Sequence, residues 1–288
     1  MNEYEIVKET TSQLLKLAVT RLPEDIISAI KKGYEIEKGI AKKQLEAILE
    51  NIELAEKENT PICQDTGLLL FYVKPGKMKI EEIERGIIDG VKEATKKIPL
   101  RPNAVHPITR ENSGNNVGKF IPWINYKFDS EYTEICVLPK GAGSENMSAL
   151  ALLTPSAGLK GIKEFVLNTV LNAGGNPCPP TIVGVGIGGT ADIANKLAKE
   201  SVLRPLNERH KEEVIAKLEM ELYNALNATG IGPMGLGGKT TVLGVNAEYA
   251  YCHTATNPVA VNIQCWCARK AIARISDGNV EYISHRVV

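Results

Sequence analysis

Cysteine is the residue type in this sequence with the greatest chemical potential. The chain of 288 residues contains Cys63, Cys136, Cys178, Cys252, Cys265 and Cys267. A structural zinc site usually brings two pairs of ligands spaced C-x₂₋₄-C, whereas the one close pair here, Cys265 and Cys267, is separated by a single residue. Disulfides are not expected in a cytosolic chain, because that compartment keeps thiols reduced. The pattern argues against both a zinc ribbon and a disulfide framework.

Three of the cysteines lie in unusual sequence contexts. Cys63 is followed directly by an amide, a carboxylate and a hydroxyl within Pro61–Gly67, and such groups are costly to bury without partners. Cys178 lies between prolines, which stiffen the backbone and remove hydrogen-bond donors. Cys265 follows a strand-like segment. Cys136 and Cys252 are interpreted as structural residues.

Three thiolates on separate turns are one short of the four that close an iron–sulfur cluster. A cluster held by three cysteines keeps one iron open to substrate, and that iron is a Lewis acid able to hold a hydroxyl and a carboxylate. The cysteines therefore favour a catalytic cluster. A non-catalytic iron–sulfur or redox-sensing protein is the alternative, and it predicts a fourth cysteine ligand.

A glycine pattern gives a second, weaker indication. Gly184–Gly189 formally matches the dinucleotide fingerprint G-x-G-x-x-G, in which glycines bring backbone amides to a pyrophosphate. The acid that should end a second strand about 20 residues later is missing, and no βαβ unit precedes the motif. A nucleotide-dependent oxidoreductase would rest on these glycines alone.

Charge and hydropathy narrow the function classes further. The chain has 34 Lys and Arg against 34 Asp and Glu, so that its formal net charge is zero. A neutral chain without a basic stretch argues against nucleic-acid binding, and no segment approaches the 18 or so apolar residues of a membrane span. The acidic N-terminus lacks the features of a signal peptide. A cytoplasmic protein that binds neither nucleic acid nor membrane is expected.

Periodicity predicts an α+β fold, with helices packed around a mixed or mostly antiparallel sheet in a single domain over residues 1–288. The cluster site is expected on loops, where the candidate cysteines lie. Residues 1–60 are predicted to be helical. Further helices are predicted at 80–97, 159–172, 190–200 and 208–227, and strands at 67–73, 122–130, 132–139, 181–186, 240–251, 259–264 and 280–284. Residues 100–120 form a loop too long for a passive connector.

Four separated motifs together resemble one family. They are Pro61–Gly67, Lys140–Ser144, Asn176–Pro180 with Gly184–Gly189, and Gln264–Trp266. In this order they resemble the N-terminal, or α, part of class I iron–sulfur fumarase, and the similarity runs through essentially the whole chain. The α subunit of L-tartrate dehydratase shares the pattern. In the fumarase family a [4Fe–4S] cluster with three cysteine ligands reversibly hydrates fumarate to L-malate.

The resemblance implies a set of site residues. The cluster ligands would be Cys63, Cys178 and Cys265, with Cys267 as the alternative for the third. The other implied residues are Gln64 and Asp65 beside the substrate, Arg101 on a substrate carboxylate, the turn of Gly141, Ala142 and Gly143 offering backbone N–H groups to the other carboxylate, and His253 hydrogen-bonded to substrate. Asp65 and His253 are the predicted catalytic residues, with Asp65 orienting or activating the base.

The resemblance also implies a missing partner. Three thiolates and a dicarboxylate dianion place several negative charges in one pocket, and each close pair repels by roughly 4 kcal/mol at an effective dielectric of 20. In the family, the remaining cations and the catalytic base, a threonine, lie in the C-terminal part. A β subunit and a hetero-oligomer such as α2β2 are therefore expected. Fumarate is the first predicted substrate and tartrate the alternative.

Overall fold

The computed structural model describes residues 2–285. The helices in chain order are α1 Glu3–Thr20, α2 Glu24–Ile36, α3 Gly39–Glu58, α4 Ile80–Lys97, α5 Ala142–Glu145, α6 Gly158–Ala173, α7 Ala191–Ser201 and α8 Glu213–Asn227. The strands are β1 Leu68–Lys74, β2 Trp123–Tyr126, β3 Thr133–Lys140, β4 Ala149–Leu153, β5 Thr181–Gly188, β6 Val242–Ala250, β7 Asn257–Gln264, β8 Ala271–Ser276 and β9 Asn279–Tyr282.

Contacts within the chain group it into two compact units. Among the described residues, the first contains residues 2–24, 51–142 and 269–285, and the second contains residues 25–50 and 143–268. The predicted single domain over residues 1–288 stays a prediction, and its residues 1 and 286–288 lie outside the described residues.

The first unit contains a five-stranded sheet in the order β2-β1-β3-β8-β9. β1 pairs in parallel with β2, and the other pairs are antiparallel. Helices α1 and α4 pack against each other, and α1 also contacts β3 and β8. Apolar residues at helical spacing meet the alternating apolar residues of the strands, which fully buries Val7, Phe71 and Ile83.

The second unit contains a four-stranded sheet in the order β4-β7-β5-β6. β5 and β6 are parallel, while β7 is antiparallel to both β4 and β5. Valine and isoleucine side chains of β5, β6 and β7 form a core with α6 and α8. The expected α+β class, with mixed and mostly antiparallel sheets, is confirmed.

Two glycines explain how α7 packs on this sheet. An added Cβ at Gly184 would lie 2.0 Å from the Ala198 carbonyl oxygen, and one at Gly186 would lie 2.0 Å from that of Ala194. Both glycines lie inside β5 and permit the helix backbone to approach the strand. The G-x-G-x-x-G pattern thus serves helix–strand packing here, which argues against a nucleotide fingerprint.

Several element boundaries differ from the sequence-based expectation. β4 and β8 were not predicted, because each is short and begins among loop residues. α8 begins at Glu213 and not at residue 208, and the strand predicted over 122–130 extends only over Trp123–Tyr126. The residues before α8 are bends and turns, so that apolar periodicity alone set its predicted start too early.

Candidate functional site

The three candidate ligands lie on loops, as the sequence predicts. Cys63 lies between α3 and β1, Cys178 between α6 and β5, and Cys265 directly after β7. All three are partly exposed, whereas Cys136 is buried. Burial raises the pKa of the Cys136 thiol to about 12, so that this sulfur stays protonated at neutral pH. A structural role for Cys136 follows from this burial.

Asp65 fixes the Cys63 loop, which we define as Pro61–Gly67. Its Oδ1 accepts hydrogen bonds from the Gly67 N–H at 2.9 Å and from Asn103 Nδ2 at 3.3 Å, and its Oδ2 accepts one from the Ala142 N–H at 2.8 Å. One carboxylate therefore ties together three separate segments of the first unit. This arrangement makes Asp65 a positioning residue for the loop that carries Cys63.

Arg269 supports the same loop from the other end of the chain. Its side chain is only 1% exposed, and its Nη1 donates a hydrogen bond to the Asp65 carbonyl oxygen. An added Cβ at Gly141 would lie 3.3 Å from Asp65 Oδ2 and 3.5 Å from Arg269 Nη2. Glycine at position 141 therefore leaves room for both side chains.

Arg101 lies beside the Cys63 loop through its main chain. Its N–H donates to Thr66 Oγ1 at 3.0 Å, and the Thr66 hydroxyl donates to its carbonyl oxygen at 3.2 Å. Arg101 and Gln64 are both exposed. The structure thus gathers Cys63, Gln64, Asp65 and Arg101 in one part of the first unit.

The turn at residues 141–143 contacts the Cys63 loop. The Ala142 N–H donates to Asp65 Oδ2, and the predicted role of this turn as a donor to a substrate carboxylate stays a prediction. Gly141 belongs to the first unit and Gly143 to the second. An added Cβ at Gly143 would lie 3.7 Å from the Asn176 carbonyl oxygen, and this places Gly143 beside Asn176, two residues before Cys178 in the chain.

The Cys178 loop, which we define as Gly175–Pro180, is held by its backbone. Cys178 has a φ of 55°, in the left-handed region that non-glycine residues seldom adopt. Its carbonyl oxygen accepts a hydrogen bond from the Trp266 N–H at 3.3 Å. The turns that carry Cys178 and Cys265 are therefore joined directly within the second unit.

A glycine-rich segment, Gly230–Gly238, packs against the Cys178 loop, and we call it the glycine loop. The Met234 N–H donates to the Pro179 carbonyl oxygen at 2.8 Å. An added Cβ at Gly235 would lie 2.7 Å from the Gly175 Cα. The backbones of the two loops thus approach so closely that side chains would not fit between them.

Burial distinguishes the two alternatives for the third ligand. Cys265 is partly exposed, whereas Cys267 is 2% exposed. Cys265 also directly precedes Trp266 in the chain, and the Trp266 N–H donates a hydrogen bond to the Cys178 carbonyl oxygen. These observations favour Cys265, and the ligand assignment stays a prediction.

His253 lies in a different place from the two cysteines of the second unit. It follows the end of β6, where Ala250 pairs with Gly188, while Cys178 precedes the opposite end of β5. The intervening strand spans about 20 Å. His253 is exposed, and its Nδ1 accepts a hydrogen bond from the Ala255 N–H at 3.1 Å. His253 therefore lies at the other end of β5 from Cys178, and its predicted contact with the substrate stays a prediction.

Three contributors to the site were missed from the sequence. Arg269 and Asn103 carry no periodic or motif signal, because a single polar residue in a loop does not reveal which carbonyl or carboxylate it will meet. The glycine loop does carry a signal, since Gly230, Gly232, Gly235, Gly237 and Gly238 lie within nine residues. Such glycine density indicates close backbone approach.

The donor chemistry fits an iron–sulfur cluster. Across residues 2–285, no group of three or more His, Cys, Asp and Glu side chains is arranged to hold a metal ion. Two partly exposed thiols nevertheless lie on turns joined by a hydrogen bond, and thiolates are the ligands that such clusters use. Cys63 is likewise a partly exposed thiol on a loop of the first unit, and its role as a ligand stays a prediction. The fit rests on these sulfur donors.

Comparison with known proteins identifies the family. The profile of the family described as fumarate hydratase (Fumerase) matches residues 8–274. The chain belongs to this family. Fumarate hydratase is a hydro-lyase, and the sequence-based resemblance to the fumarase family is confirmed.

Three relatives from the curated proteins are similar along nearly their whole length. A protein of Methanocaldococcus jannaschii, provisionally named L(+)-tartrate dehydratase subunit alpha, is 51% identical over 277 residues, which are 93% of this chain and 97% of the relative. The L(+)-tartrate dehydratase subunits alpha of Escherichia coli K12 and Shigella sonnei are each 35% identical over 283 residues, or 96% of this chain and 93% of the relative.

No helix among residues 2–285 is long and apolar enough to cross a membrane.

Proposed function

We propose that this chain is the α subunit of an iron–sulfur hydro-lyase that removes water from a four-carbon 2-hydroxy dicarboxylate, with L-tartrate as its substrate. Relatives named as α subunits of L(+)-tartrate dehydratase cover 93–96% of the chain, and they favour tartrate over fumarate. The structural observation that carries the proposal is the direct link between the turns of Cys178 and Cys265.

Cys63, Cys178 and Cys265 would hold a [4Fe–4S] cluster. When bound through three cysteines, such a cluster supplies an iron with an open coordination position, which acts as a Lewis acid toward a hydroxyl group. The chain's part is to hold the three sulfurs in place. The Cys63 loop does so through Asp65, and the Cys178 loop through its contacts with Trp266 and Met234.

Arg101 is the residue of this chain that would bind the substrate's carboxylate. A guanidinium donates two parallel hydrogen bonds to a carboxylate, and the Arg101 side chain is exposed while its main chain is fixed by Thr66. Gln64 is likewise exposed beside Cys63. A dianion bound near three thiolates requires more positive charge than one guanidinium provides.

The remaining cations and the base would come from a β subunit, in a hetero-oligomer such as α2β2. In the reaction, hydroxide leaves C2 of tartrate and a proton leaves C3. Together they form water, and the resulting enol becomes oxaloacetate. Loss of a positioned base typically costs about 10²–10⁴-fold in rate. The chain alone would therefore hold a cluster without catalysing the reaction.

Fumarate hydration is the second candidate. The description of the matched family, fumarate hydratase, supports it, and the chemistry is closely related, because malate and tartrate differ only by the C3 hydroxyl. In the malate reaction, hydroxide from C2 and a proton from C3 leave as water, and fumarate is the product.

Turnover by the assembled enzyme tests the proposal. The chain is co-expressed with its β partner, reconstituted anaerobically with Fe²⁺ and sulfide, and assayed with L-tartrate and with L-malate. Faster oxaloacetate formation from tartrate than fumarate formation from malate supports tartrate, and the opposite ratio supports the fumarase candidate. No turnover of either dicarboxylate by an enzyme that contains the cluster would contradict a hydro-lyase and favour a redox protein.

A further inference from the structure

Gln264 is a buried amide that contacts the segment of Cys265 and Cys267. It ends β7, pairs with Ile182 of β5 and is 1% exposed. Its Nε2 lies 3.7 Å from Cys265 Sγ and 3.3 Å from the Cys267 carbonyl oxygen. Among the described residues, its Oε1 has no hydrogen-bond partner.

These contacts fix which end of the amide faces the cysteines. A carbonyl oxygen only accepts hydrogen bonds, so that the atom nearest to the Cys267 carbonyl oxygen must be the amide nitrogen. The same nitrogen then points a second N–H toward Cys265 Sγ. Pairing with Ile182 holds the backbone of Gln264 in the sheet, and Ile182 lies four residues along the chain from Cys178.

The contact with Gln264 is compatible with Cys265 as a cluster ligand. As a thiol, Cys265 Sγ lies 3.7 Å from the Cys267 carbonyl oxygen, to which it can donate. A thiolate has no proton to donate and can only accept. The Cys267 carbonyl oxygen would still have the Gln264 N–H as a donor, and the same amide group would face the new negative charge. The surroundings of Cys265 thus suit a sulfur that accepts hydrogen bonds.

We propose that Gln264 is a positioning residue that donates an N–H···S hydrogen bond to Cys265 and thereby raises the reduction potential of the cluster. This inference rests on the proposed function, since it requires that Cys265 is a cluster ligand. Hydrogen bonds to the sulfurs help to set the potentials of iron–sulfur clusters, because they stabilise the form that carries more negative charge. Here that form is the cluster after it has gained one electron.

The test is an anaerobic redox titration of the assembled αβ enzyme with dithionite as the reductant, followed by electron paramagnetic resonance of the reduced cluster. Gln264→Met keeps the length of the side chain and removes the donor. Gln264→Glu replaces the donor with a group that is an acceptor when ionised. In Gln264→Met we expect the equilibrium constant for reduction of the cluster to fall about tenfold, which lowers the reduction potential by about 59 mV for one electron. In Gln264→Glu we expect the reduction potential to fall by at least as much.

Asn262→Leu is the matched control. Asn262 lies two residues earlier on β7, is 4% exposed and also has an amide oxygen without a partner among residues 2–285. Its Nδ2 donates to Glu145 Oε2 at 3.1 Å and to Ser148 Oγ at 3.0 Å, with no contact to sulfur among these partners. The same potential as in the wild-type enzyme is expected. A shift as large as that of Gln264→Met would show a general packing effect and overturn the proposal.

The outcomes separate this inference from the proposed function. If the wild-type enzyme assembles no [4Fe–4S] cluster, the proposed function fails and the role of Gln264 with it. If the wild-type cluster assembles but both Gln264 variants keep its potential, the role of Gln264 is wrong while the proposed function stands. A downward shift confined to the two Gln264 variants supports the N–H···S bond. If Asn262→Leu does not fold, the two Gln264 variants still test the proposal, because the reduction potential must fall in both of them.

Discussion

The Cys63 loop and the Cys178 loop are held in place by different kinds of interaction. In the first unit, side chains hold the loop: Asp65 accepts from three donors, Thr66 bonds to Arg101, and Arg269 donates to the Asp65 carbonyl oxygen. In the second unit, backbone groups hold the loop, through Trp266, Met234 and the close approach of Gly175 to Gly235.

This difference determines which substitutions each loop can tolerate. A loop held by side chains is weakened when one polar atom is changed, even if the size of the residue is kept. A loop held by backbone contacts is insensitive to such exchanges but sensitive to an added methyl group where two backbones meet. Both loops deliver a partly exposed thiol, by separate physical means.

The largest expected effect concerns the ligands in both loops. Cys63→Ser, Cys178→Ser and Cys265→Ser should each abolish the visible absorbance of the cluster in the anaerobically reconstituted αβ enzyme, because a serine hydroxyl stays protonated near neutral pH. Cys136→Ser should keep the absorbance. Burial raises the pKa of the Cys136 thiol to about 12, which is unsuitable for a thiolate ligand.

Cys267→Ser is the decisive control for the third ligand. It should keep the cluster if Cys265 is the ligand. Loss of absorbance in Cys267→Ser with retention in Cys265→Ser would reverse the assignment. Retention of the cluster in Cys63→Ser would mean that the first unit contributes no ligand, and the two loops would then not share a function.

The next effect tests the backbone contacts of the second unit. Gly235 has a φ of 74°, and its added Cβ would lie 2.7 Å from the Gly175 Cα. Gly235→Ala should therefore lower the free energy of unfolding by about 2–5 kcal/mol, through left-handed strain together with overpacking. Chemical denaturation measures this loss, and cluster content should fall with it.

Gly237→Ala separates strain from crowding. Gly237 has a φ of 86°, but nothing lies within 4 Å of its added Cβ. Only the strain of about 1–2 kcal/mol is expected, with normal cluster content. Equal losses in the two alanine variants would show that the contact between Gly175 and Gly235 does not hold the Cys178 loop.

A smaller effect tests the carboxylate of the first unit. Asp65→Asn keeps the shape of the side chain but turns one acceptor into a donor, which would face an N–H of Gly67, Asn103 or Ala142. A loss of about 1.5–3 kcal/mol in the free energy of unfolding is expected, as for other hydrogen bonds to charged groups. Asp129→Asn, at an exposed site of the same unit, should change stability by no more than about 0.5 kcal/mol.

The smallest effect concerns Thr66, which is 2% exposed and bonds to the main chain of Arg101 through its hydroxyl. Thr66→Val removes these bonds while keeping the branched shape. It should raise the KM for the dicarboxylate about fivefold, equivalent to about 1 kcal/mol, with little change in kcat. Thr66→Ser keeps the hydroxyl and should restore the KM. An equal rise of the KM in both variants would show that the Thr66 hydroxyl does not position Arg101 for substrate binding.

The sequence by itself determined the fold class and the chemical identity of the candidate ligands. Long stretches with helical or strand periodicity, such as α4, α6 and β7, were predicted close to their observed bounds, because periodicity reflects which side chains must be buried. Cysteines beside proline or polar residues were sufficient to indicate a sulfur-rich site. These properties are local in the chain.

The partners of these residues were decided only by the tertiary structure. Asp65 lies 204 positions from Arg269 along the chain, yet the two are hydrogen-bonded, and no local pattern encodes such a pairing. The same is true of the bond between Trp266 and Cys178. His253 shows the converse, because it lies only twelve residues before Cys265 in the sequence, whereas the whole of β7 runs along the sheet between them. The number of residues between two positions does not determine their distance in space, because that distance depends on the direction of the strands between them, which only the sheet topology shows.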